Sequence, residues 1–126
     1  TIVRDAEGNA RLVLGAAGGP RITNAVFQAI VNRLYFGMTL PDAVMAPRVH
    51  HQWRPNELRI ESLAGAGYTH ELRERLRSPP LAYEVKEVAS SGRMHALERF
   101  VDGRVWGVPD RRAEGTAVTE EMAGKN

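Results

Sequence analysis

Cysteine is absent from the 126 residues. That excludes a disulfide framework, a thiolate nucleophile and cysteine-based zinc sites. Long apolar runs are absent as well: nothing approaches the roughly 18 residues a membrane-spanning helix needs. No secretory signal begins the chain, although a chain can start downstream of a processed leader. Lysine is scarce, with Lys86 and Lys125 alone, so the cations are nearly all arginine. This lifts the sequence pI to 9.4 although the net charge is only +2. The arginines do not gather into one basic stretch. In "HELRERLR", residues 70–77, they alternate with glutamate, which reads as a solvated helix face with charge pairs. No nucleic-acid partner is expected from such a pattern.

What is present fits one globular domain or part of one. Hydrophobic residues make up 43% of the chain, enough to build a core. "TIVRDAEGNARLVLGAA" predicts a β-hairpin, with Ile2 and Val3 on one arm, Leu12 to Leu14 on the other and Asp5 to Asn9 in the turn. The run "RLVLGAA" barely alternates and predicts a strand covered on both faces. "NAVFQAIVNRLYFG" predicts a helix capped by Thr23, with Val26, Phe27, Ile30, Val31 and Leu34 on its inner face. Gly37 can end it in a left-handed conformation. "PDAVMA" predicts a short second helix opened by Pro41 and stopped by Pro47. "PRVHHQW" reads as an ordered loop and "ELRIES" as a strand. "YTHELRERLRS" reads as a surface helix with Leu72 and Leu76 inward. "AYEVKEVA", "RMHALERFV" and "RVWGVP" read as strands, the last two joined at Asp102-Gly103. The order β-β-α-α-β-α-β-β-β predicts an α+β fold with helices packed on antiparallel sheet. Residues 113–126 lose periodicity and predict a flexible tail.

The stretch "GAAGGPRIT", Gly15 to Thr23, is the first candidate for chemistry. It places three glycines between a strand and a helix. A helix N-terminus carries unpaired N–H groups and partial positive charge, and glycines let a ligand approach the backbone closely. Pro20 has no N–H, so the donors would be Gly18 and Gly19. The spacing is neither GxGxxG nor a Walker loop. Two readings stay open: an oxyanion hole, or small residues that merely let strand and helix pack closely. The pair His50-His51 invites a metal reading with Glu57 or Glu61, but adjacent histidines in an extended segment point apart. No metal site or cofactor is expected, and histidines bonded to buried backbone groups are the simpler account. Ser90-Ser91 precedes Gly92 without a nucleophile-elbow motif. Thr1 could act only if its own amine served as base, and it leads directly into the hairpin.

The residues from "RLVLGAAGGPRI" through "PRVHHQWRPNELRIE" resemble the C-terminal part of the gamma-glutamyltransferases (glutathione hydrolases). The family's GxxGGxxI loop stands here as Gly15 to Ile22, and its PRxHHQW as Pro47 to Trp53. A GxxDPR…G segment is matched by "GVPDRRAEG", Gly107 to Gly115, with Asp-Pro-Arg read against Pro109-Asp110-Arg111. The resemblance implies an αββα sandwich of the N-terminal nucleophile hydrolase type and a precursor that cleaves itself into two subunits. A new N-terminal threonine would attack the gamma-glutamyl carbonyl, and Gly18 and Gly19 would form the backbone oxyanion hole and bind substrate there. In the family a Ser-Ser-Met segment precedes a Pro-Thr-Ile-Val stretch. Thr1-Ile2-Val3 matches the end of that stretch, so the resemblance makes Thr1 a structural threonine and places the nucleophile upstream.

The resemblance therefore implies that residues 1–126 are the C-terminal portion of a larger enzyme and inactive alone. The expected partners are the large subunit, the rest of the small subunit and glutathione-like gamma-glutamyl substrates. The implied setting is periplasmic or extracellular, with a cytoplasmic one open. Two alternatives stand beside it: an acylase of the same family acting on beta-lactam side chains, and a non-catalytic binding or assembly module that keeps the fold.

Overall fold

The computed structural model describes residues 1–63, 66–67 and 70–117. Its elements, in order, are β1 (Ile2–Arg4), β2 (Ala10–Ala17), α1 (Arg21–Leu34), α2 (Leu40–Met45), β3 (Val49–His50), β4 (Glu57–Leu63), β5 (Ala66–Gly67), α3 (His70–Arg77), β6 (Glu84–Val88), β7 (Arg93–Arg99) and β8 (Val105–Pro109).

The opening hairpin forms as its turn residues predict. β1 and β2 pair antiparallel with Ile2 opposite Val13. The Asp5 carboxylate accepts the Asn9 N–H at 2.7 Å, and Gly8 takes φ +86° to close the turn. At the other end of the chain the Asp102-Gly103 turn joins β7 to β8, with Gly103 at φ +86°. These four strands make one antiparallel sheet in the order β1-β2-β7-β8. The core lies on one of its faces. Leu12, Leu14, Met94, Ala96 and Val108 pack there against Ala25, Val26 and Ala29 of α1 and Leu40 and Val44 of α2. Each fully buried leucine contributes about 1.5–3 kcal/mol by leaving water.

Several expectations are corrected. β2 is not covered on both faces: Leu12 and Leu14 are buried but Val13 between them is exposed. The opposite face of this sheet carries Val13, Arg93, His95 and Leu97, and period-two alternation puts all of them away from the helices. Thr23 does not cap α1. The helix starts three residues earlier than that cap would place it, at Arg21, with Pro20 at the cap position and no side-chain cap bond. Its inner face is built on small residues, while Phe27 is 64% exposed and Leu34 40%. Gly37 does adopt φ +68°, but two residues beyond the cap residue Tyr35. α2 is capped as its sequence demands. Thr39 Oγ1 accepts the Asp42 N–H, and Pro41 occupies the first turn.

The remaining strands form a second sheet. β3, inside the expected loop, pairs antiparallel with β4, as does β5. β6 pairs with β4 in parallel, Leu58 opposite Val85 and Ile60 opposite Glu87. This sheet is therefore mixed rather than antiparallel, because α3 lies between β4 and β6 as a crossover. α3 itself buries none of its residues among those described, and Leu72 is 37% exposed rather than inward. Residues 113–117 cross the open face of the first sheet: a Cβ added to Gly115 would stand 2.8 Å from the His95 ring, and one on Gly107 2.9 Å from Ala117. The rest of the expected tail, 118–126, lies outside the described residues.

Candidate functional site

β2 feeds directly into α1 through Gly18, Gly19 and Pro20. Gly18 takes φ +146° and Gly19 φ +60°, values that side chains other than glycine's resist. The carbonyl of Gly18 accepts the Arg21 N–H at 3.3 Å, and that of Gly19 accepts the Ile22 N–H at 3.1 Å. The carbonyls thus serve the first helical turn. The N–H groups of Gly18 and Gly19 donate to no partner among the described residues. α1 has no acidic residue in its first turn, so nothing there offsets the positive end of the helix dipole. A Cβ on Gly19 would meet no atom within 4 Å: the space beside it is open.

Gly18 has a packing role as well. A Cβ there would stand 3.0 Å from the Cα of Gly92, which itself has φ +83° and abuts Ala17 O and Ala25. The turn Ser90-Ser91-Gly92, between β6 and β7, therefore sits against the glycine corner. At Gly18 the close-packing reading holds. Gly18 permits close backbone approach, while Gly19 leaves open space. The approach of Ser90-Ser91-Gly92 was not legible from sequence. Its one signal is a glycine directly ahead of a strand.

Below the corner lies a buried ionic network that sequence reasoning missed. Arg48 donates to Asp110 Oδ2 at 2.8 Å, to Val44 O at 2.8 Å and to Gly92 O at 3.0 Å. Arg112 forks onto Glu61 and reaches Asp110 Oδ1 at 2.9 Å and Ala46 O at 2.8 Å. Glu61 accepts the N–H groups of Arg48 and Ser91. Two cations and two anions thus meet with almost no solvent, the four side chains being 0–3% exposed. Burial alone would push the Asp110 carboxyl up, but the Arg112 N–H and the guanidinium charges of Arg48 and Arg112 hold it below the usual range. Burial and the neighbouring Arg112 charge lower Arg48, while Glu61 and Asp110 outweigh burial at Arg112 and raise it. Through Gly92 and Ser91 this network fixes the turn that touches Gly18. Asp110 and Arg112, two apart, both lie in this network, whereas Arg111 is exposed with a single long bond to Met45 O among the described residues.

The other candidates fall elsewhere. His50 is buried on β3 with Nε2 2.8 Å from Gln52 Oε1, and its Nδ1 meets no partner among the described residues. His51 bonds Asn56 Oδ1 and accepts the Trp53 N–H. Glu57 is taken by Arg59 and Lys86, and Glu61 by Arg112. Among the described residues no group of three or more histidines and acids could hold a metal. The Thr1 amine donates to Leu14 O at 2.8 Å. That pairing places it about 13 Å along β2 from Gly18, four residues at strand rise, so the structure does not bring Thr1 to the glycine corner.

The chain belongs to the gamma-glutamyltranspeptidase family, whose model matches residues 1–120. It is similar to the glutathione hydrolase proenzyme of Escherichia coli K12, 34% identical over 112 residues that span 89% of this chain and 18% of that protein. Among solved structures it resembles a gamma-glutamyltranspeptidase mutant from Helicobacter pylori. That match has a TM-score of 0.79 at 33% identity and covers 90% of this chain and 59% of the other. It also resembles the enzyme from Pseudomonas nitroreducens complexed with L-DON, with a TM-score of 0.81 at 29% identity, covering 94% and 60%. The chain thus spans under a fifth of that curated relative and about three fifths of the solved chains. The fold is α+β, part of the N-terminal nucleophile hydrolase sandwich. No helix among the described residues is long and apolar enough to cross a membrane.

Proposed function

We propose that this chain is the C-terminal portion of a gamma-glutamyltransferase, and that its Gly18 and Gly19 N–H groups hold the oxygen of the scissile carbonyl. The observation that carries this reading is the pair of undirected N–H groups at an open helix N-terminus, in a chain whose family cleaves gamma-glutamyl amides. The nucleophile is a threonine on a segment outside residues 1–126. Its hydroxyl adds to the gamma-glutamyl carbonyl, and the oxygen gains negative charge. Donors held in place before the reaction need no reorganisation and lower the barrier. The amide C–N bond then breaks, the leaving amine takes the proton, and a gamma-glutamyl ester remains for water or another amine. This piece contributes the oxyanion donors and the network beneath them, and has no turnover by itself. The rest of the small subunit and the large subunit are its partners.

The backbone angles select the test. A proline at Gly18 would be a poor probe, because its φ is fixed near −65° and Gly18 needs +146°. Replacing the Gly19 amide by an ester removes the N–H and keeps the shape. In the intact processed enzyme this change lowers kcat by about a hundredfold, the usual effect of losing one oxyanion donor. Unchanged kcat in a folded variant would remove Gly19 from the site.

A further inference from the structure

The last rung of the β2–β7 ladder is Ala17 opposite Arg93. Gly18 and Gly92 lie just beyond it, so the ladder does not reach the glycine corner. Gly18 rests on Gly92 instead: the place a Gly18 Cβ would take is 3.0 Å from the Gly92 Cα. Gly92 is wedged in its turn. A Cβ on it would stand 3.4 Å from Ala17 O and 3.5 Å from the Ala25 Cβ. Where Gly92 sits therefore governs where the Gly18 N–H points, since that N–H donates to no partner among the described residues. Two bonds hold Gly92 from outside the ladder. The Ser91 N–H donates to Glu61 Oε1, and Arg48 Nη1 donates to Gly92 O at 3.0 Å. Glu61 stands behind both, because its Oε2 accepts the N–H of Arg48 at 3.0 Å. Glu61 belongs to β4 of the second sheet and is 0% exposed. A charged acceptor with backbone N–H groups on both oxygens is a stiff mount.

We infer that Glu61 is a positioning residue for the reaction: through the Ser91 N–H it holds Gly92 beneath Gly18, and so aims one of the two oxyanion donors. This rests on the function proposed above. Glu61 is sealed from solvent and meets no substrate, so its effect is carried by the turn alone. A donor slightly out of line costs little while the substrate carbonyl is uncharged. It costs most once the oxygen becomes negative, because that is when the preorganised donors act. Loosening the turn therefore lowers kcat and leaves KM almost unchanged. A misplacement of 1 Å can cost about a hundredfold, and a fraction of that shift costs about tenfold.

The test is steady-state kinetics of the intact processed enzyme with gamma-glutamyl-4-nitroanilide. Replacing the Ser91 amide by an ester removes the N–H by which Glu61 holds the turn, and leaves the four charged side chains of the network in place. It lowers kcat about tenfold or more, with KM within twofold. Glu98→Gln is the control. It breaks another ion pair of the same sheet, with Arg33, but Glu98 lies opposite Leu12, five residues along β2 from Ala17 and about 17 Å away at strand rise. It leaves kcat within twofold, whatever its effect on melting temperature. An unchanged kcat in the ester variant overturns the inference. So does an equal kcat loss in Glu98→Gln, which would be general loosening, or a rise in KM, which would put the turn in substrate binding. A precursor that carries the ester and does not cleave itself also overturns it, because the bond would then serve maturation. Where the ester variant does not fold, Glu61→Asp decides. It keeps the charge facing Arg112 but draws the carboxylate back from Ser91, and it repeats the kcat loss at unchanged KM; full kcat overturns the inference. Failure of the underlying reading shows separately, as wild-type enzyme that does not cleave the anilide or a Gly19 ester that keeps full kcat.

Discussion

Replacing Arg112 by methionine strikes the buried network at its most connected member. The Arg112 guanidinium donates to Glu61 from Nε, at 2.9 and 3.1 Å, and from Nη2, and it also reaches Asp110, Val44 O and Ala46 O. Methionine fills much of the same volume but donates nothing. Asp110 would keep Arg48 and the Met94 N–H. Glu61 would keep only backbone N–H groups, from Arg48 and Ser91, and the site would change from two cations and two anions to an excess of one negative charge. Leaving a buried ion without its partner costs about 3–5 kcal/mol. Guanidinium unfolding of the intact protein reads this as a lower midpoint at unchanged slope. Arg111→Met is the control, because Arg111 is exposed, and it shifts stability by about 0.5 kcal/mol or less. Adding Glu61→Gln to Arg112→Met returns part of the loss, because the uncompensated charge goes with it. An Arg112→Met cost below about 1 kcal/mol, or no greater than that of Arg111→Met, would refute the reasoning.

Two further outcomes follow from the same site. Gly18→Ala puts a Cβ 3.0 Å from the Gly92 backbone at φ +146°, whereas Gly19→Ala meets open space at φ +60°. Thermal melts should show Gly19→Ala losing about 1–2 kcal/mol, the left-handed penalty, and Gly18→Ala losing clearly more; the reverse order would contradict the packing described. The Asp110 carboxyl is held below its ordinary range in the folded state, so as pH falls the unfolded chain takes up this proton first. Its contribution is fully present above the unfolded value of about 3.9 and is lost as pH drops through the folded value. Stability measured from pH 6 down to 2 should therefore fall below about pH 4, with a shallower fall in Asp110→Asn; identical slopes would show that Asp110 is not a contributor.

Local signals carried much of the fold. The hairpin turns at Asp5 to Asn9 and Asp102-Gly103, the Thr39-Pro41 start of α2 and the glycine corner are all set by residues within a few positions of one another, where backbone preference acts directly. Phe27 and Leu34 show the limit. A period of 3.6 says that a helix has an apolar stripe, but not which neighbour meets it, and here α1 packs on Ala25, Val26 and Ala29 instead. The network escaped for another reason. Arg48, Glu61, Asp110 and Arg112 are charged, so each reads alone as surface, and only the tertiary fold brings them within 3 Å.

The central claim is that the nucleophile lies outside this chain while Gly18 and Gly19 serve it. Intact-mass measurement of the native protein, with N-terminal sequencing of every band, addresses it most directly. The account predicts two subunits from one precursor, the smaller beginning with a newly exposed threonine and containing residues 1–126 as its C-terminal part. A single unprocessed chain, or a small subunit beginning with a residue that cannot act as a nucleophile, would contradict it.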